Sequence, residues 1–216
     1  SNTATRRFVV KHNIHLTYLG TGCIFEYDDS HPQPLVDDED RQSGKLVSTP
    51  VDGFGETDLP NFHGSSYSIV KGFTDRMVHH LPILNLRIRM PITDSNNPRN
   101  FITKITNYQK ICSLPNSMSV LPTLLPLVFT MMKDRVVGTI NLVNPGVITH
   151  NRILTLYREY VDSSHTWENF TILEQDKILD ARRSNNYLTT ARLEELFPDV
   201  PTIEEAVKIS LKKYKS

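Results

Sequence analysis

Only two of the 216 residues are cysteine, Cys23 and Cys112, and they stand far apart with no C-x-x-C pair. A disulfide framework and a thiolate zinc site are thereby excluded, and a reducing, cytoplasmic setting is expected. Net charge is lacking too, because Lys+Arg and Asp+Glu both number 24. With no basic excess, neither a nucleic acid nor an anionic membrane surface is an expected partner. An anionic ligand has to be held by local charges. No long apolar run occurs: the richest stretch, Val120–Met132, contains Pro122 and Pro126 and falls short of the roughly 20 residues that span a bilayer. Glycine is scarce, at 9 residues, and none stands in the G-x-x-G-x-x-G pattern that cradles a dinucleotide pyrophosphate. No metal is expected. His79-His80 has no carboxylate at ligand spacing, and Asp37-Asp38-Glu39-Asp40 reads as a solvated loop.

What is present is globular in style, with 38% hydrophobic and 22% charged residues. Residues 3–12 read as the end of a helix. Ile14–Phe25 is apolar and β-branched, which predicts a strand broken near its end by Gly20 and Gly22. Asp28–Asn61, rich in Asp, Pro, Gly and Ser, reads as a long surface loop. Ser65 or Ser66 caps a helix to about Leu81, whose apolar positions Ile69, Val70, Phe73, Met77, Val78 and Leu81 recur at helical spacing. Ile83–Met90 alternates apolar and polar residues as a strand does, and Pro91 closes it. Further helices are predicted over Phe101–Lys110, Ser119–Lys133, Thr149–Val161, Thr171–Leu179, Thr189–Phe197 and Thr202–Tyr214, and a strand over Val137–Val143. Strands alternating with helices argue an α/β fold with a parallel sheet.

Two residues of the first predicted helix suggest chemistry. Tyr67 and Lys71 are four apart and share a face. A phenol, with a free pKa of about 10, is a poor acid at neutral pH. A neighbouring ammonium favours the phenolate, and a phenol tuned in this way can hand a proton to a carbonyl oxygen as hydride reaches its carbon. The bland alternative is a tyrosine on a buried helix edge beside a solvated lysine. Thr21 and Cys23, upstream at the end of the first strand, favour the chemical reading.

Gly20-Thr21-Gly22-Cys23-Ile24-Phe25-Glu26-Tyr27-Asp28, followed by Tyr67-x-x-x-Lys71, resembles the extended short-chain dehydrogenase/reductases that make deoxysugar nucleotides. The likeness extends through Arg87-Ile88-Arg89-Met90-Pro91-Ile92, Asn97-Pro98-Arg99-Asn100-Phe101-Ile102-Thr103-Lys104, Pro115-Asn116-Ser117-Met118, Asn144-Pro145-Gly146-Val147 and Arg183-Ser184-Asn185-Asn186. These segments are similar to the 3,5-epimerase/4-reductases of nucleotide-rhamnose synthesis, relatives of dTDP-4-dehydrorhamnose reductase.

The resemblance implies Thr21 as the hydroxyl on the substrate carbonyl, Tyr67 as proton donor, and Lys71 on the cofactor ribose. It implies Cys23 and Lys104 as the acid/base pair of the epimerisations. Tyr67, Lys71, Met90, Pro91 and Ile92 would contact NADPH or NADH. Arg99, Asn100, Phe101, Arg183 and Asn186 would bind a nucleotide-sugar substrate, and a homodimer is an expectation of the same kind. Read from residue type alone, Cys23 at a strand end is more often a small buried side chain and Lys104 ordinarily a solvated lysine, while Thr21 is open to reading as a turn cap and Arg99 and Arg183 as surface charges.

The implied fold is α/β. It comprises the C-terminal portion of a Rossmann-like parallel sheet (1–93) and a small helical substrate lobe interleaved with late sheet elements (94–216). The N-terminal dinucleotide-binding half is expected to be missing from the chain. The implied function is 3,5-epimerisation and NADPH-dependent 4-reduction of a nucleotide-linked 4-keto-6-deoxyhexose, as part of a longer enzyme. The alternative is a non-catalytic interaction module, or a fragment lacking cofactor binding.

Overall fold

Three short strands in parallel organise the chain. They are β1 (Thr17–Thr21), β2 (Leu84–Ile88) and β4 (Gly138–Asn141), in the spatial order β1-β2-β4. Thr21 pairs with Ile88, and Arg87 with Asn141. The computed structural model describes residues 2–35, 52–170, 174 and 184–214. The helices are α1 (Asn2–Lys11), α2 (Ser66–Val78), α3 (Phe101–Thr106), α4 (Leu121–Lys133), α5 (His150–Tyr160), α6 (Ala191–Leu196) and α7 (Ile203–Lys213). A second, two-stranded parallel sheet joins β3 (Lys110–Ile111) to β5 (Glu168–Asn169). The α/β expectation with a parallel sheet therefore holds. The helix expected over Thr171–Leu179 lies outside the described residues, apart from Glu174.

The central strand explains the layering. Leu84 and Leu86 point to one face of the sheet, where they pack with Ile140, Leu142, Leu193 and the Leu124, Val128 and Met131 side of α4. Asn85 and Arg87 point to the other face, against α2. The alternation in β2 thus marks no solvent face: Asn85 is 1% exposed and Arg87 0%, and Arg89, just past the strand's end, is 1% exposed. A buried charge must be paired or hydrogen-bonded. Arg87 meets this by donating from Nε and Nη2 to the two carboxylate oxygens of Asp75 on α2, at 3.0 and 2.7 Å.

That pairing decides how α2 sits. Ser65 caps the helix, accepting from the Ser68 N–H. The face turned inward is Ser68, Gly72 and Asp75, small and polar. Ile69, Val70 and Phe73, which recur at helical spacing, face outward and are 50%, 63% and 66% exposed. The ion pair and the close approach of Gly72 to Pro60 turn the apolar stripe outward.

A second hydrophobic cluster gathers three helices. Ile102 and Ile105 of α3, Ile153, Leu154 and Leu156 of α5, and Ile203, Val207 and Leu211 of α7 pack around Ile92, Met118 and Val120. The Asp28–Asn61 segment departs from the surface-loop reading. Its described part returns to the core at Phe54, which stacks between Phe25 and His31 at centroid distances of 4.5 and 3.9 Å. Among the described residues no helix is long and apolar enough to cross a membrane.

Candidate active site

Parallel strands end at one edge, so the residues following β1, β2 and β4 share that edge, where α/β sheets hold their ligands. The link from α2 to β2 spans only residues 79–83. The C-terminus of α2 therefore lies at the amino edge of the sheet. Thirteen residues of helix, about 20 Å, carry its first turn, and Tyr67, back to the carboxyl edge. Thr21, Cys23, Tyr67 and the Arg89–Ile92 segment all come to this edge.

Thr21 ends β1 and is 7% exposed. Its Oγ1 accepts the Cys23 N–H at 3.1 Å. This leaves the hydroxyl hydrogen of Thr21 available to donate to another oxygen. The turn is tight because Gly22 is overlaid: a Cβ there would stand 2.6 Å from Leu188 Cδ1 and 2.8 Å from Arg89 Cγ.

Tyr67 is 55% exposed, and Lys71 is half-buried. This is the reverse of the bland reading of the pair. The Lys71 ammonium donates to Tyr18 Oη at 3.2 Å and lies over the Tyr18 ring, 5.4 Å from its centroid. Tyr18, on the α2 face of β1, was not singled out by sequence reasoning.

Met90 follows β2 with a φ of 38°, the left-handed region in which non-glycine residues are uncommon. Strain of this kind persists where surrounding contacts hold it. Here Arg89 N donates to Ser119 Oγ, Ser119 N to Arg89 O, and Phe101 N to Pro91 O. Ile92 is fully buried and bridges to Val120, while Pro91 is exposed. Phe101, half-buried, opens α3 with its ring 5.3 Å from that of His150.

Asn100 is the cap of α3. Its Oδ1 accepts from Thr93 N and Ile102 N, and its Nδ2 donates to Thr93 O and Ser95 O. Its amide is thus committed to the backbone and shapes the 93–100 turn rather than presenting free groups to a ligand. Asn186 behaves similarly. It is fully buried, and its Nδ2 donates to Gly22 O, Phe25 O and Ser184 Oγ. Its Oδ1 has no partner among the described residues. Arg99 and Lys104 are exposed. No hydrogen bond among the described residues joins Lys104 or Tyr67 to Thr21 or Cys23. Arg183 lies outside the described residues.

Sequence reasoning missed the residue that joins these pieces. Arg89 is 1% exposed. Its Nε donates to Ser117 O at 3.2 Å. Nη1 donates to Gly22 O at 3.2 Å and Ser184 Oγ at 3.0 Å, and Nη2 to Asn116 Oδ1 at 2.6 Å and Ser184 O at 3.0 Å. Burial pulls the guanidinium below its ordinary value, while proximity to Cys23 and Tyr27 works the other way. Its ordinary value is high enough that it stays charged. Burial also pushes the Tyr27 phenol well up, so Tyr27 is neutral and donates to Pro115 O at 3.0 Å. A signal for Arg89 was present, since two arginines alternating with apolar residues inside a strand imply an organised polar interior.

No family model matches the chain. It is 48% identical over 207 residues to protein L780 of Acanthamoeba polyphaga mimivirus, covering 95% of this chain and 66% of that protein. The crystal structure of L780, described as a UDP-rhamnose synthase, superposes with a TM-score of 0.81 at 46% identity over 98% of this chain and 69% of that one. The bifunctional dTDP-4-dehydrorhamnose 3,5-epimerase/dTDP-4-dehydrorhamnose reductase of Arabidopsis thaliana is 44% identical over 194 residues, 89% of this chain and 60% of that protein. The NADP complex of dTDP-4-dehydrorhamnose reductase from Bacillus anthracis shares the fold, with a TM-score of 0.65 at 13% identity over 99% of this chain and 70% of that one. The chain spans two thirds or less of these curated relatives. On the strength of its likeness to L780, this chain belongs to the nucleotide-rhamnose synthase family.

Proposed function

We propose that this chain is the catalytic and substrate-binding part of a longer nucleotide-rhamnose synthase. The enzyme epimerises C3 and C5 of a nucleotide-linked 4-keto-6-deoxyhexose and reduces its 4-keto group. The observation that carries this reading is the hydrogen-bonded Thr21–Cys23 turn at the same sheet edge as the first turn of α2. The 4-keto group acidifies the hydrogens on both neighbouring carbons. Thr21, with its oxygen occupied by the Cys23 N–H, turns its hydrogen to the ketone. Cys23 and Lys104 serve opposite faces of the ring as base and acid. Tyr67 then delivers a proton to the C4 oxygen.

The residues fit the nicotinamide–ribose end of NADPH, or of NADH. Lys71 keeps donors beyond the one directed at Tyr18, and the Met90 backbone is held in a strained conformation. Tyr67, Lys71 and the Met90–Ile92 segment would hold that end. When bound, the cofactor supplies the two electrons that reduce C4. The pyrophosphate end requires a glycine-rich turn that this sequence does not contain, which supports placing the chain within a longer polypeptide. Arg99 and Arg183 are assigned to the substrate diphosphate, for which a guanidinium fork is suited. A second copy on the exposed Ile69, Val70 and Phe73 of α2 accounts for that face.

The test is made in the complete polypeptide with the UDP- and dTDP-linked 4-keto sugars in deuterated water. Tyr67→Phe is expected to lower reduction by about 10²–10⁴-fold and to leave deuterium entry at C3 and C5. Cys23→Ala is expected to abolish deuterium entry while a pre-epimerised sugar is still reduced. Deuterium entry unchanged in Cys23→Ala rejects the epimerase assignment. Neither exchange nor reduction in the unsubstituted protein makes the chain a non-catalytic module.

A further inference from the structure

The buried guanidinium beneath the Thr21–Cys23 turn has no carboxylate partner among the described residues. All its N–H donors are directed at neutral oxygens: Ser117 O, Gly22 O, Ser184 Oγ and O, and Asn116 Oδ1. Arg87, two residues earlier and within β2, is by contrast matched oxygen for oxygen by Asp75. Among the described residues, one buried arginine thus has its counter-ion and the next has none, which leaves its positive charge unbalanced by them at a chosen place. That place is the peptide preceding Cys23. The Arg89 stem also packs on Gly22 so closely that no side chain fits between them.

The neutral partners of Arg89 come from three separate segments. Gly22 belongs to the turn after β1, Asn116 and Ser117 to the strap leading into α4, and Ser184 to the segment entering α6. Ser184 Oγ in turn donates to Phe25 O at 2.6 Å, and Asn186 N donates to Asn116 Oδ1 at 3.1 Å. One charge therefore fixes the thiol-bearing turn against the substrate lobe.

We propose that Arg89 is a positioning residue of the epimerising step, a buried cation with no carboxylate partner among the described residues that orients the Cys23 turn and stabilises the single negative charge passing between Cys23 and the sugar. This rests on the epimerase reading above. In the step, the Cys23 thiolate takes a proton from the carbon beside the ketone. The C–H bond breaks, an S–H bond forms, and the electron pair moves onto the ketone oxygen as an enolate. The Lys104 ammonium returns a proton to the opposite face and the C–H bond is remade. The negative charge is on sulfur before proton removal and on oxygen after it, and a low-dielectric cation favours both.

The decisive comparison is Asn116→Asp with Asn116→Ala in the complete polypeptide. The first places a carboxylate where Arg89 Nη2 now finds a neutral oxygen at 2.6 Å, and the second removes that oxygen without adding charge. Deuterium entry at C3 and C5 and reduction of a pre-epimerised sugar are followed together with thermal melting. Asn116→Asp is expected to slow exchange at least tenfold, with reduction within about twofold of the parent, and Asn116→Ala is expected to slow exchange less than threefold. Equal exchange rates in the two variants, or parallel loss of exchange and reduction with lowered melting, overturn the role and leave Arg89 as scaffold. Arg89→Lys, which keeps the charge, is expected to exchange faster than Arg89→Met; the reverse order also overturns it. Failure of the unsubstituted protein to exchange rejects the epimerase reading itself, a result distinct from either.

Discussion

Asp75 and Arg87 form an ion pair at 2.7 Å, with side chains only 5% and 1% exposed, linking α2 to the central strand of the sheet. Asn85 Nδ2 donates to the same carboxylate at 3.0 Å and to Thr139 Oγ1 at 3.2 Å, so the pair sits in a network reaching β4. Arg87 also donates to Gly55 O at 3.0 Å and lies over the Phe25 ring, 5.0 Å from its centroid. The helix bearing Tyr67 and Lys71 is thus held to the sheet by charge and hydrogen bonds.

Removing one partner of a buried pair leaves the other desolvated. Asp75→Ala is expected to destabilise the protein by about 3–5 kcal/mol. The check is the urea unfolding midpoint at constant slope. A loss below about 1 kcal/mol would mean that other contacts anchor α2.

Gly22 tolerates no side chain, because a Cβ would meet Leu188 and the Arg89 stem at 2.6 and 2.8 Å. Gly22→Ala is expected to cost about 1–3 kcal/mol through overpacking and to slow exchange at the sugar carbons by displacing the Cys23 turn. Calorimetric melting with the exchange assay measures both. An unchanged melting temperature would show that the neighbours yield freely.

Glu204, on α7, takes hydrogen bonds from Arg152 Nη2 at 2.6 Å and Arg152 Nε at 3.2 Å, and pairs with Lys208 at 2.7 Å. The Arg152 hydrogen bond is the largest cause, with Lys208 adding to it, of a carboxyl pKa lowered from 4.5 to about 2. A depressed folded-state value stabilises above the unfolded value of 4.5, and this contribution is lost as pH falls toward about 2. The side chain is 39% exposed, so screening reduces the effect to about 1 kcal/mol. Glu204→Gln is expected to be less stable than the parent by this amount at pH 7. The difference should close between about pH 4.5 and pH 2. Urea titrations across that range measure it, and a constant difference would show that the α5–α7 ion pair contributes nothing that titrates.

Much of the fold was legible in the order of residues. Alternation of apolar strands with capped helices announced the parallel sheet, and Ser65, Thr149 and Thr202 mark helix starts where the structure has them. The two-residue strands β3 and β5 were not legible, since two residues carry no periodicity. Lys110 falls there instead of in the helix expected to reach it. The second predicted strand is where the structure has β2, and its polar residues Asn85 and Arg87 are buried. The likeness of the Thr21–Cys23 and Tyr67–Lys71 segments to a known family pointed to the site. It did not point to Arg89 or Tyr18, whose importance lies in what they touch.

The sequence by itself determined most of the longer strands and helices, because propensity, capping and period act between near neighbours. It also determined the chemical types available at the carboxyl edge, among them a hydroxyl, a thiol and a phenol. Tertiary structure alone decided which face of α2 turns inward, since the Asp75–Arg87 pair outweighs the outward-facing apolar stripe. It alone decided that one buried arginine meets a carboxylate and the next only neutral oxygens, because a charge's partners are set by segments far apart in the chain.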